Sequence, residues 1–208
     1  MGLVAGGLMI WGLWPSRPTG LSTDINSHIS TPASLYLSLN GRTIVDGTIG
    51  GRGETGGATY GSRWGDALNW DLAWYDILAD RSYRLKFTIS ASELATFGGD
   101  GSHATIDIVV GPGADIIATT TDHEVARLIG LRQTEDVSAL QKPRIILREI
   151  CAEPLPDDDP FTQGKRKYVE SFAHVSNSDG YHLERRLTAR EKYLQNNKIT
   201  PRCPSTGE

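Results

Sequence analysis

The chain has 208 residues, of which 38% are hydrophobic and 22% charged, and its formal net charge at pH 7 is -4. A chain of this length and composition can bury a sizeable core, which excludes a disordered protein. Basic residues concentrate after position 160, but they are few and are mixed with Glu. The composition therefore argues against a nucleic-acid partner.

The first predicted element is an apolar segment over residues 1–14, which contains no charged side chain. As a helix it would span about 21 Å, short of the roughly 30 Å of a hydrocarbon core. We interpret it as a signal or anchor segment that takes the protein to the periplasm, where it would also be the membrane contact that tethers the chain to the inner membrane. The alternative is a buried segment of the fold. Residues 15–33 are rich in Pro, Ser, Thr and Gly and predict a linker.

A two-residue hydrophobic period then predicts an antiparallel β domain over residues 34–153. The first pair is a hairpin, because alternating leucines over residues 35–39 are followed by Asn40-Gly41, a strong turn signal. The next pair spans residues 68–90, where the alternation places two Trp residues of one strand against a Tyr and a Phe of the other.

Further strands are predicted over residues 106–110, 115–121 and 145–150, with a Gly-Pro-Gly reversal at 111–113. At least six short strands separated by turn signals indicate a mainly β fold, either an antiparallel β-sandwich or an open barrel.

The glycine-rich run over residues 50–61 contains a literal GxGxxG pattern. Dinucleotide binding by that pattern requires a helix directly after it, and no helical period follows, so the run predicts a wide turn or bulge between two strands and no cofactor. A polar loop of this kind can contact a protein partner, and we expect Arg52, Glu54, Tyr60 and Arg63 to do so.

Two alternative functions remain open from the sequence. Ser102 and His103 are adjacent, which suggests a hydrolase, although no GxSxG elbow accompanies them. Trp64 and Tyr75 are expected to be exposed and could stack on a sugar, which suggests a carbohydrate-binding module. The histidines lack metal-ligand spacing, so no metal and no catalytic residue is assigned.

Residues 154–208 are predicted to hold a rigid acidic loop over 154–160 and an amphipathic helix from about residue 180 to 197 that packs on the sheet. The adjacent carboxylates Asp157, Asp158 and Asp159 lack EF-hand spacing, so an exposed loop is favoured over a calcium site. Cys151 and Cys203 are predicted to form a disulfide that fixes the carboxy-terminal part in an oxidising compartment, the alternative being two buried thiols.

The Val45-Asp46-Gly47 turn, the glycine-rich loop, the Trp70-x-x-x-Trp74 strand and the Gly-Pro-Gly reversal together resemble small envelope proteins of Gram-negative bacteria. Some of those proteins are immunity proteins paired with secreted toxic effectors. The resemblance covers residues 35–121 and implies a periplasmic location and a protein partner. The chain departs from many such proteins in having no lipobox cysteine after its apolar segment.

Overall fold

Eleven strands and an α-helix with defined bounds make up the part of the chain that the computed structural model describes. The described residues are 20–27, 33–49, 56–60, 65–97, 103–121, 123, 144–173, 188, 191–192, 195–196 and 202–203. The strands are β1 (Gly20–Ser27), β2 (Ala33–Leu39), β3 (Arg42–Ile49), β4 (Gly56–Tyr60), β5 (Ala67–Asp76), β6 (Arg81–Ser90), β7 (Thr96–Phe97), β8 (His103–Val110), β9 (Asp115–Thr120), β10 (Ile145–Cys151) and β11 (Glu153–Pro154), and the helix is α1 (Pro160–Ala173).

The strands form two sheets that face each other across the core. Sheet I has the order β10-β9-β8-β1-β4, with β7 also paired to β8, and sheet II has the order β11-β6-β5-β2-β3. Neither sheet closes into a barrel in the described part of the chain, so the mainly β sandwich predicted from the sequence is confirmed. All pairings are antiparallel except that between β1 and β8.

The predicted β2–β3 hairpin is present and turns at Asn40-Gly41. Both turn residues have positive φ, 50° for Asn40 and 78° for Gly41, as a two-residue hairpin turn requires. The Asn40 Oδ1 accepts a hydrogen bond from the Asn69 backbone N–H at 3.0 Å, which ties the turn to β5.

The predicted aromatic pairing between β5 and β6 is also present. Trp70 lies opposite Phe87, with ring centroids 6.2 Å apart, and Trp74 lies opposite Tyr83, with centroids 5.3 Å apart. Both Trp side chains are buried. Sheet I contributes smaller apolar residues to the same core, chiefly Leu21, Ile25, Ala104, Ile106, Ile108, Ile116 and Ala118.

The predicted linker over residues 15–33 is wrong for its central part, because Gly20–Ser27 form β1 between β4 and β8 in sheet I. Leu21, Thr23 and Ile25 point into the core and are fully buried. Because Thr23 takes the central core position, only Leu21 and Ile25 mark this strand as apolar residues, which is too few for a clear alternation in the sequence.

Part of the glycine-rich run forms a strand. Its residues Gly56–Tyr60 form β4, which pairs with β1 at the edge of sheet I, so the prediction of a turn or bulge is wrong for this part. The chain therefore passes from β3 of sheet II to β4 of sheet I across the run. Residues 50–55 and 61–64 lie outside the described residues.

The carboxy-terminal end is fixed to sheet I by a disulfide between the two cysteines that the sequence pairs. The Cys151 and Cys203 sulfurs are 2.13 Å apart and their Cα atoms 5.5 Å apart. Arg202 adds a salt bridge to Glu149 at 3.0 Å and another to Asp115. The predicted helix over 180–197 lies mostly outside the described residues, although Thr188, Glu191, Lys192, Gln195 and Asn196 are helical and exposed.

The aromatic pairs set the stability of the sandwich. Replacing Trp74 by Ala leaves a large cavity beside Tyr83, and we expect the free energy of unfolding to fall by about 3–5 kcal/mol. Chemical denaturation followed by circular dichroism measures the change, with Lys86→Ala as an exposed control on β6 that should change little. A loss below about 1 kcal/mol for Trp74→Ala would contradict the core described above.

The disulfide is expected to contribute about 2–4 kcal/mol, because it closes a long loop in the unfolded chain. Adding a reductant should lower the denaturation midpoint of the natural protein but not that of the Cys151→Ser/Cys203→Ser double variant. Equal sensitivity of both proteins to reductant would show that the effect does not come from this bond.

Candidate functional site

Helix α1 begins where the sequence predicts an exposed acidic loop. The Asp159 Oδ1 accepts a hydrogen bond from the Phe161 backbone N–H at 2.8 Å, and the Asp159 carbonyl accepts one from the Gln163 N–H at 3.0 Å. Asp159 is thus the N-cap and Pro160 the first helical residue, a combination that favours helix initiation. The prediction of a rigid loop over 154–160 is wrong at its end, because Pro160 begins α1. In the sequence, the Asp159-Pro160 pair was the signal for this helix start.

α1 lies on the outer face of sheet II, away from the aromatic core. It contacts β5 and β6, whose outward-facing side chains Tyr75 and Ser82 are buried. Thr162 is the one α1 residue that is fully buried among those whose side chains the structure describes, while Phe161 and Val169 are partly buried. The fully buried side chains at this contact therefore carry polar groups.

One flank of α1 is held by a charged network with the β5–β6 turn. The Arg166 Nε donates to the Asp80 Oδ1 at 2.8 Å, and the Tyr75 hydroxyl donates to the same oxygen at 2.6 Å. Burial raises the pKa of Tyr75 to about 12, helped by its hydrogen bond to Asp80. Burial also acts to raise the pKa of Asp80, but the hydrogen bonds from Tyr75 and Arg166 outweigh it and lower that pKa.

The other flank of α1 borders an open groove with β3. The Lys165 Nζ lies 2.6 Å from the Asp46 Oδ1 and 5.4 Å from the centroid of the Phe161 ring. The groove has a volume of about 430 Å³. Its lining is Asp46, Gly47, Pro160, Phe161, Gly164, Lys165 and Tyr168.

Two glycines leave this groove open. Gly47 lies within β3 and Gly164 within α1, and apart from its own neighbours in the chain a Cβ atom added to either would meet none of the described residues within 4 Å. Neither has the positive φ that would require glycine. Glycine inside a helix or strand costs about 0.5–1 kcal/mol relative to Ala, so the packing and backbone give no reason for either residue. Tyr168, 44% exposed, stands at the side of the groove.

The four residues expected to form a partner-contact loop are not brought together in the described structure. Arg52, Glu54 and Arg63 lie outside the described residues. Tyr60 ends β4, where its backbone pairs with Leu21 of β1. The groove residues were missed because their contacts join distant parts of the chain: Lys165 and Asp46 are 119 positions apart.

The structure describes only one of the two residues of the hydrolase alternative. Ser102 lies outside the described part of the chain, and His103 instead lies with its Nε2 2.9 Å from the Ser22 Oγ on β1. Within the described residues no carboxylate hydrogen-bonds to His103. The sequence gives no reason to pair Ser22 with His103, because residues 15–33 are predicted to be a linker.

An ion pair between a buried carboxylate and an exposed guanidinium group lies further along the same face of sheet I. Asp107 is 5% exposed and pairs with Arg144. Burial lowers the pKa of Arg144, although the Asp24 carboxylate acts in the opposite direction. Within the described residues there is no group of three or more His, Cys, Asp or Glu side chains placed to hold a metal ion.

The predicted sugar-stacking platform is wrong for Tyr75. The residue is 4% exposed, because α1 covers the face on which it lies. Trp64, the other predicted platform residue, lies outside the described residues. Trp70 and Trp74 face the core, as the alternation predicts.

No family model matches this chain, and no curated protein matches it. A solved structure of Klebsiella pneumoniae 5-hydroxyisourate hydrolase aligns with 50% of this chain and 99% of that chain, at 18% identity and a TM-score of 0.28. A likeness at that level carries no argument about activity. None of the helices found in the described residues combines the length and apolar character needed to cross a bilayer.

The Tyr75 network predicts a loss of stability at alkaline pH. Because the pKa of Tyr75 is raised from 10.0 to about 12, its protonated form stabilises the folded state fully below pH 10, and this contribution decreases as pH rises towards 12. Denaturation curves at several alkaline pH values should show a decline that is smaller in Tyr75→Phe. An identical decline in both proteins would mean that Tyr75 titrates normally.

Proposed function

We propose that this protein is an exported envelope protein that acts by binding another protein, as immunity proteins neutralise a secreted toxin, and that the α1–β3 groove is its contact surface. The observation that carries the proposal is the pair of glycines, Gly47 and Gly164, that keep this groove open without a structural requirement in the described residues. No described side chain fills the space beside these two glycines, so a side chain of a partner protein could enter it.

The groove has the chemistry of a site for an uncharged side chain. Lys165 and Asp46 neutralise each other at its edge, so the groove offers no unbalanced charge from its own lining. Pro160, Phe161 and Tyr168 supply apolar and aromatic surface, the kind that carries most of the binding energy in protein interfaces. A partner would insert one aliphatic or aromatic anchor here.

The Cys151–Cys203 disulfide supports export, because such bonds persist in oxidising compartments such as the periplasm. We further propose that residues 1–14 direct the chain there and hold it at the inner membrane. Cell fractionation followed by alkylation of thiols tests both points. A free thiol pair in the cytosol would refute export.

The immunity role is tested by competition between sister cells. Deleting the gene should make recipient cells sensitive to attackers of the same strain, and restoring the natural gene should protect them. Gly164→Leu should fold at least as stably, because Leu is a better helix former than Gly, yet should lose protection by about tenfold or more because it fills the groove.

The matched control is Lys167→Leu, which adds the same side chain to the same helix at an exposed position that does not line the groove. This variant should protect like the natural protein. Full protection by Gly164→Leu would exclude the groove as the contact surface, whereas no protection by the natural gene would exclude the immunity role itself.

A further inference from the structure

The attachment of α1 to sheet II differs in kind from the rest of the packing. The helix buries no apolar side chain fully among those described, and its one fully buried residue is Thr162. The Thr162 Oγ1 and the Ser82 Oγ are both buried without a hydrogen-bond partner among the described residues. Each unpaired buried hydroxyl opposes the docking of the helix, because it gives up hydrogen bonds to water.

Charge pairs on the two flanks of the helix offset this cost. Lys165 pairs with Asp46 on β3, and Arg166 pairs with Asp80 in the β5–β6 turn. The acidic partners remain accessible to solvent, with 61% of the Asp46 side chain and 63% of the Asp80 side chain exposed. Interactions between exposed charges weaken as salt rises, since the Debye length falls from about 10 Å at 0.1 M to about 3 Å at 1 M.

We propose that α1 is an ionic latch that opens and closes as a unit on a sandwich that stays folded. Closing it builds one wall of the groove from Phe161, Gly164 and Tyr168. Opening it removes that wall and exposes the sheet face around Tyr75. The equilibrium between docked and undocked α1 is inferred from the contacts of α1 alone. Its effect on partner binding rests on the function proposed above.

Hydrogen exchange of backbone amides in the full chain tests the latch. Amides of α1 should exchange faster than those of β5 and β8, and raising sodium chloride from about 0.1 M to about 1 M should speed α1 exchange about fivefold without the same effect on the strands. Exchange of α1 at the rate of global unfolding, at either salt concentration, would overturn the proposal.

Two variants separate an ionic latch from ordinary packing. Arg166→Gln keeps a polar, though shorter, side chain but removes its charge, and should speed α1 exchange by about three- to fivefold and reduce its response to salt. Thr162→Val keeps the shape and β-branching while removing the unpaired hydroxyl, and should slow α1 exchange by about fivefold or more. Faster exchange in Thr162→Val would show that the hydroxyl stabilises docking and would refute the argument from unpaired hydroxyls.

The outcomes for the latch and for the function are independent. If α1 exchanges only by global unfolding while Gly164→Leu still loses protection, the groove is a rigid binding site and the latch is wrong. If the salt and variant effects on exchange appear while the natural gene protects no cells, the latch stands and the immunity role fails.

Discussion

The cross-strand aromatic pairing of β5 and β6 is the constraint on which the rest of the structure depends. Trp70 with Phe87, and Trp74 with Tyr83, fill the inner face of sheet II with large rings. Sheet I then completes the same core with smaller residues such as Ala104 and Ala118. Because successive residues of a strand alternate between faces, the same register sends Asp71, Tyr75 and Arg84 outward, where the Arg84–Asp71 pair forms at 2.6 Å.

How much the sequence predicts depends on how local each pattern is. The β2–β3 hairpin and the β5–β6 pair follow from short alternations and adjacent turns, and both have the predicted partners. β1 is different, because its place is fixed by parallel pairing with β8, some 80 residues later, and by β4, whose glycines look like a turn. Backbone pairing of this kind leaves little trace in side-chain pattern.

The candidate site was less predictable than the fold, and for a physical reason. Helix α1 has Phe161, Tyr168 and Val169 at helical spacing, but Gly164 and Lys165 interrupt this apolar stripe, which weakens the helix signal in the sequence. Its position is set by the pairs Lys165–Asp46 and Arg166–Asp80, which join residues 119 and 86 positions apart. Charged residues are common on every surface, and nothing in the sequence selects these partners from the others.

The two faces of sheet II therefore serve different ends. Its inner face is apolar and holds the sandwich together, while its outer face holds α1 by polar contacts that are geometrically specific but individually weak. The chain connection before the helix compensates for that weakness, because the Leu155 N–H donates to the Ser82 carbonyl at 2.9 Å and holds the chain against sheet II shortly before α1 begins. A helix tethered close to its docking face re-docks as an intramolecular event at high effective concentration, so weak contacts suffice to keep it in place. Under the proposal above, the fold presents a binding wall that its charge pairs hold in place and that rising salt releases by screening those pairs.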